Sequence, residues 1–244
     1  MSETATTRHE VIFPPASFNP RRVFVAGVGA GGSWITLLLA KLGVQRIAIC
    51  DKQTVAIENV GCGIYGAKHV GMRKVDACRE IVELLSAGVQ IEAFACGVEE
   101  IVRFNADAVF ICVDSMKARK FIMLDQCVPQ AGGSEGDVKR VFEGRMSAQF
   151  FMGHSVDPRA ERHLMGWEHY WYPDEEILPG PAACGGHPGT APTTAMCSAS
   201  TLVDLFTDWW ARERGVAKSA ANQFTLDMRT MECSKVCWDP LGTA

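Results

Sequence analysis

The chain has 244 residues, 48% of them hydrophobic and 21% charged, the composition of a globular protein with enough length for one full-sized core. Its formal net charge of −4 and pI near 5.9, with no clustered basic stripe, argue against a nucleic-acid partner. The longest mostly apolar run, Trp34–Ala40, is far below the roughly 20 residues of a membrane span. Met1–Glu10 lacks the charged-then-apolar order of a secretion signal, so a cytoplasmic protein with ten reduced cysteines is expected.

The first 20 residues hold Pro14-Pro15 and Pro20 without periodicity and read as a flexible arm; residues 21–244 read as a single domain. Val23–Ala26 is a short apolar run, expected as a buried strand. Gly27-Val28-Gly29-Ala30-Gly31-Gly32 follows at once. A helix is expected over Ser33–Leu42, stopped by Gly43, then a second strand over Arg46–Cys50, closing in Asp51. This is one βαβ unit with parallel strands and a right-handed crossover. The spacing of Val75, Cys78, Ile81, Val82 and Leu85 predicts a helix over Met72–Ser86. Strands are expected over Val89–Ala95 and Ala108–Val113, the latter ending in Asp114, then a helix over Ser115–Asp125. The alternation predicts an α/β, Rossmann-like fold: a mainly parallel sheet with helices on both faces. Beyond Cys127 the pattern weakens into a mixed C-terminal part. Val141–Met152 holds one or two strands, Arg159–Pro192 is irregular, Thr193–Arg214 reads as a long helix and Phe224–Met231 as a last strand. Trp167, Trp171, Trp209 and Trp210 fit either core packing or a substrate groove or dimer interface.

Gly27, Gly29 and Gly32 form G-x-G-x-x-G between a strand and a helix. Glycine permits the tight turn and close backbone approach to phosphates, and the N–H groups at the helix start face the anion. Asp51, at the end of the next strand, can accept hydrogen bonds from ribose hydroxyls. Together these predict nucleotide binding, with NAD, FAD, S-adenosylmethionine and ATP all compatible with the loop alone.

The segment Asp51 to Ala77 discriminates. Leu39-Ala40-Lys41-Leu42-Gly43-Val44, Asp51, Val55, Asn59, Gly71 and Lys74, followed by Val113-Asp114-Ser115 and Arg119, resemble the ThiF/MoeB/HesA adenylating family, relatives of the ubiquitin-activating enzymes. The resemblance covers Arg22 to Arg119. It implies ATP and Mg²⁺, with Asp114 holding the metal and Asn59 and Lys74 meeting the phosphates. The implied reaction is attack of a carboxylate on the α-phosphate, with release of pyrophosphate. The carboxylate belongs to the C-terminus of a small ubiquitin-like or peptide partner, or to a small acid, and a homodimer is implied. Three departures stand out. Cys62 occupies the family's arginine position, leaving Arg8, Arg21 or Arg73 as substitutes; Gln53 replaces the second acid of Asp-x-Asp; and the paired C-x-x-C motifs are absent. Cys184, His187, Cys233 and Cys237 are a candidate zinc set in altered form. Cys184, then Cys62 and Cys127, are candidates for a transfer thiol. Two rival readings are a non-catalytic nucleotide- or partner-binding module of the same fold and an NAD-dependent oxidoreductase.

Overall fold

The computed structural model describes residues 5–6, 8–19, 21–129, 138–176, 189–216 and 221–239. Its strands are β1 (Arg22–Ala26), β2 (Arg46–Cys50), β3 (Gln90–Phe94), β4 (Ala108–Ile111), β5 (Arg140–Ser147), β6 (Phe150–Val156), β7 (Gln223–Asp227) and β8 (Glu232–Val236). They form one sheet in the order β3-β2-β1-β4-β5-β6-β7-β8. The first five run parallel, and β6, β7 and β8 join antiparallel. The helices are α1 (Pro15–Phe18), α2 (Ala30–Leu42), α3 (Ile57–Val60), α4 (Lys74–Leu85), α5 (Met116–Phe121), α6 (Glu161–Glu168) and α7 (Pro192–Glu213). This is the Rossmann-like α/β architecture with a mixed C-terminal part.

Strands β1, β2 and β4 are apolar on both faces because helices cover both. Val23 and Val25 point into one core with α2, α4 and α7. Phe24 and Ala26 point into the other, with Met123 and Trp167. The chain runs from β1 outward through β2 and β3, then returns to place β4 on the other side of β1. The carboxyl ends of β1 and β4 therefore flank a topological switch point, where ligands bind in open α/β sheets.

The structure corrects several expectations. The described part of the N-terminal stretch is docked, not loose. Pro15 starts the single turn of α1, and Phe13 and Phe18 are fully buried. Phe18 meets Phe206 at 5.2 Å and Trp210 at 5.1 Å between ring centroids, and Trp210 Nε1 donates to Ser17 Oγ at 2.9 Å. Two aromatic anchors need no periodicity, which is why pattern reading misses them. Phe18→Ala is expected to cost about 3 kcal/mol in a urea titration; a change below about 0.5 kcal/mol would mean the stretch contributes nothing to the core. The helix expected over Ser115–Asp125 is α5 followed by a π-helical turn, Ile122–Cys127. The last expected strand is shorter and pairs with a further strand, β8. Trp167, Trp209 and Trp210 are core residues. No described helix is long and apolar enough to cross a membrane.

Candidate active site

The glycine turn after β1 is fixed from three sides. Gly27 N–H donates to Cys50 O at 2.8 Å, Val28 N–H donates to Asp51 Oδ2 at 3.0 Å, and the buried Tyr65 hydroxyl donates to Val28 O. Gly27 has φ +86°, and a Cβ there would lie 2.9 Å from the Cys112 backbone. A Cβ on Gly32 would lie 1.9 Å from Gly27 O. That contact explains why Gly32 sits in the first turn of α2 against its helix propensity. Gly29 differs: nothing lies within 4 Å of a Cβ built there. Gly32→Ala is therefore expected to destabilise the fold by about 2–3 kcal/mol through forced backbone movement. Gly29→Ala is expected to leave stability within about 0.5 kcal/mol yet weaken nucleotide binding, because its methyl enters the phosphate approach. Thermal denaturation with and without Mg-ATP separates the two.

Gly27, Gly29, Asp51, Asn59, Lys74 and Asp114 all line one cleft of about 1840 Å³ at the carboxyl ends of β1, β2 and β4. Gly32 lies behind the turn and shapes it without lining the cleft. Asp51 also accepts Gln53 N–H at 2.9 Å on Oδ1, so each of its oxygens positions backbone and keeps a lone pair for a ligand. Asn59 uses its carbonyl oxygen to accept Ala56 N–H at 2.9 Å, which fixes α3 and leaves the amide NH₂ as its donor end. Lys74, the first residue of α4, is buried, and its Nζ donates to Gln53 Oε1 at 2.7 Å. Gln53, a departure in the sequence pattern, thus holds the lysine with a neutral group and leaves its charge uncancelled. Asp114 Oδ1 accepts Ser115 N–H at 2.9 Å. The N-cap of α5 is Ser115, whose hydroxyl accepts Ala118 N–H at 3.1 Å, so capping does not require Asp114.

The β5 side of the cleft holds residues that the sequence analysis did not single out. Glu143 is fully buried on β5. It accepts Arg119 Nη1 at 2.7 Å, Arg145 Nε at 2.8 and 3.0 Å, His154 Nδ1 at 2.8 Å and Trp167 Nε1 at 3.1 Å. Burial alone would push the Glu143 carboxyl up, but Arg145 and Arg119, with His154, hold it well below the usual carboxylate range. Burial pushes His154 down against the pull of Glu143, so it is neutral at pH 7. Arg119 and Arg145 both line the cleft. The only sequence signal was Glu143-x-Arg145, two charges on one face of a strand. A segment after α6 also borders the cleft. Asp174 accepts the Ser115 hydroxyl at 2.8 Å and Lys117 N–H at 3.3 Å, and Trp171 Nε1 donates to Met116 O at 3.3 Å.

The arginines considered as substitutes for the cation missing at Cys62 lie elsewhere. Arg21 pairs with Asp107 at 3.1 Å near the amino end of β1, Arg73 pairs with Asp76 at 2.7 Å, and Arg8 does not line the cleft. The cleft's own cations are Lys52, Lys74, Lys117, Arg119 and Arg145. Cys62 lines the cleft, and its carbonyl accepts Trp34 Nε1 at 2.9 Å. Cys127 is buried, and burial pushes its thiol up, which makes it a poor transfer thiol. Cys184 and His187 lie outside the described residues. Cys233 and Cys237 are exposed, and among the described residues no three His, Cys, Asp or Glu side chains are placed to hold a metal.

Over residues 17–132 the chain matches the ThiF family. The match covers a little under half of the chain. Every glycine, acid and base predicted for the nucleotide site falls inside it, whereas Glu143 and Arg145 lie beyond it. The chain is similar to ubiquitin-like modifier-activating enzyme 5 of Caenorhabditis elegans, at 26% identity over 138 residues, covering 48% of this chain and 33% of that one. The Caenorhabditis briggsae enzyme is 28% identical over 108 residues, covering 44% and 25%. The chain therefore spans a quarter to a third of the length of these two relatives. Among solved structures, Escherichia coli MccB with ATP matches with a TM-score of 0.72 at 9% identity, covering 99% of this chain and 74% of that one. PaaA matches with a TM-score of 0.67 at 16% identity, covering 97% and 69%. These structural likenesses show that the fold shared with MccB and PaaA includes the antiparallel C-terminal part.

Proposed function

We propose that this chain is an adenylating enzyme that uses ATP and Mg²⁺ to activate a carboxylate, releasing pyrophosphate. The carrying observation is the convergence of the glycine turn, Asp51, Asn59, Lys74 and Asp114 on one cleft at the switch point. The comparisons support it: the family is that of adenylating enzymes, and the MccB structure above contains ATP. The donor set suits a magnesium nucleotide. Mg²⁺ takes one or two carboxylates plus phosphate oxygens, and Asp114 is the carboxylate that would hold it, supplying charge neutralisation to the triphosphate.

In this reading the backbone N–H groups beginning α2 and the Asn59 amide position the phosphates, and Asp51 takes the ribose. Lys74 neutralises charge on the phosphate chain. The carboxylate oxygen of the co-substrate attacks the α-phosphorus. The bond to the bridging oxygen breaks, and pyrophosphate leaves with the electron pair. Positioning and charge neutralisation suffice, and no protein nucleophile is required. Relative to the family pattern, Cys62 removes one positive charge and Gln53 removes one negative charge, so these departures cancel in net charge. The co-substrate class is a C-terminal carboxylate of a peptide or ubiquitin-like protein, or a small acid. The relatives are ubiquitin-like modifier-activating enzymes, and MccB has also been solved with N-formylated MccA. The proposed assembly is a cytoplasmic homodimer.

A second reading is a binding module without catalysis, favoured by Cys62. Exchange of labelled pyrophosphate into ATP, with a pool of short peptides bearing free C-terminal carboxylates and the same pool amidated, separates the two. Exchange with the acids alone supports adenylation. Bound ATP with no exchange supports the module, and conversion of ATP to ADP and phosphate contradicts adenylation.

A further inference from the structure

We infer that Arg145, backed by Arg119, forms an anion subsite on the β5 side of the cleft that receives the carboxylate to be activated. The inference rests on the adenylation reading and names where the second substrate sits.

Two guanidinium groups share one buried carboxylate, Glu143, and the third partner, His154, is neutral. The cluster therefore carries one positive charge more than it cancels. Asp174, whose field also reaches Arg119, offsets part of that excess on the Arg119 side, while the ion-pair partner of Arg145 among the described residues is Glu143. A buried cation without full compensation is unfavourable, and a sheet interior of apolar side chains would serve stability at least as well. The arrangement is better explained by what it does for the cleft.

Hydrogen bonding points the same way. Arg145 is only 8% exposed, and its Nε is taken by Glu143 and its Nη1 by the Tyr170 carbonyl. Among the described residues its Nη2 has no hydrogen-bond partner, and neither does Nε of Arg119, although both atoms are buried. Both residues line the cleft, so two clamped guanidiniums beside the ligand space hold unsatisfied donors. A guanidinium held in place by Glu143 and Tyr170 with donors to spare suits a planar, bidentate carboxylate.

Sheet order supplies the location. Across the carboxyl edge the cleft runs from Asp51 after β2, through Gly27 after β1 and Asp114 after β4, to Arg145 on β5. The nucleotide groups occupy the β2–β1–β4 side. In that order Arg145 lies beyond Asp114 from Gly27 and Asp51, which leaves its side of the cleft for a second substrate.

The test uses the full chain labelled with ¹⁵N-arginine, with the Arg145 Nε–H signal assigned from R145K. It is titrated with N-acetylglycine, N-acetylglycinamide and inorganic phosphate, with and without Mg-AMPCPP. The acid is expected to shift the Arg145 signal at least fivefold more than the amide at equal concentration. R145K, which keeps the charge, should retain acid binding within tenfold, and R145M should lose it; Mg-AMPCPP binding serves as the folding control for both. Equal response to acid and amide overturns the subsite, and so does a stronger response to phosphate than to the acid. Failure of the unaltered chain to bind Mg-AMPCPP is separate: it sinks the adenylation reading, while the nucleotide-free acid and amide titrations still decide the subsite.

Discussion

Replacing Asp114 by alanine is expected to weaken Mg-ATP binding about 10- to 100-fold while changing AMP binding less than about twofold. The first figure corresponds to loss of a charge-assisted interaction of about 1.5–3 kcal/mol. The second follows because AMP lacks the β- and γ-phosphates whose charge a magnesium ion held by Asp114 would neutralise. Asp114 follows β4 at the switch point, beside the Gly27 turn, and its Oδ1 is oriented by Ser115 N–H. Since Ser115 caps α5, the substitution spares the helix start. Asp114→Asn tests charge more cleanly: it keeps an acceptor for Ser115 N–H but offers no anion to a metal, so it should lose nearly as much affinity as alanine. Calorimetry with and without a chelator reads all three proteins. Unchanged Mg-ATP affinity in both variants would remove Asp114 from the metal site.

Replacing Glu143 by alanine is expected to destabilise the fold by about 3–5 kcal/mol, the cost of leaving buried charges without their partner. Arg119 and Arg145 would then face each other across a cavity at the sheet centre. The same residue makes stability depend on acid. The folded carboxyl lies well below its ordinary value of 4.5, so its contribution is fully present above that pH and is lost as pH falls through the depressed folded value. His154 adds to the acid side. Its folded pKa lies below 6.5, so lowering pH through 6.5 protonates the unfolded chain first and favours unfolding. Urea denaturation of the unaltered chain from pH 7 to pH 3 should therefore show falling stability, steepest below about pH 4.5, and Glu143→Gln should flatten that lower limb. An Ala variant as stable as the parent would mean that the two arginines find other compensation.

Much of this fold was legible because its evidence is local. The runs Val23–Ala26, Arg46–Cys50 and Ala108–Val113 read as continuous apolar strands, and the strands found there are buried on both faces, the third ending two residues sooner at Ile111. The glycine turn and Asp51 sit at fixed offsets from those strands, so that side of the cleft could be named from local sequence alone. What escaped is held by contacts distant in sequence. Gln53 reaches Lys74 across 21 positions, Tyr65 holds Val28 across 37, and Arg119 meets Glu143 across 24. Neither partner of such a pair carries a signal by itself, and Gln53 read as a loss when it is the group that fixes the lysine. The docking of Phe13 and Phe18 against Phe206 and Trp210 failed for the same reason. Ala30 starting α2 ahead of three poor helix formers is a different failure. Packing against Gly27 O and Cys112 overrides propensity there.

The measurement that tests the central claim most directly is a calorimetric titration of the unaltered chain with Mg-ATP and, separately, with NAD. The cleft described above predicts saturable Mg-ATP binding that weakens when Mg²⁺ is chelated, and no heat from NAD at the same concentrations. NAD binding without any response to Mg-ATP would contradict it, leaving Gly27, Gly29 and Asp51 to serve a dinucleotide and Asn59, Lys74 and Asp114 without the roles assigned to them.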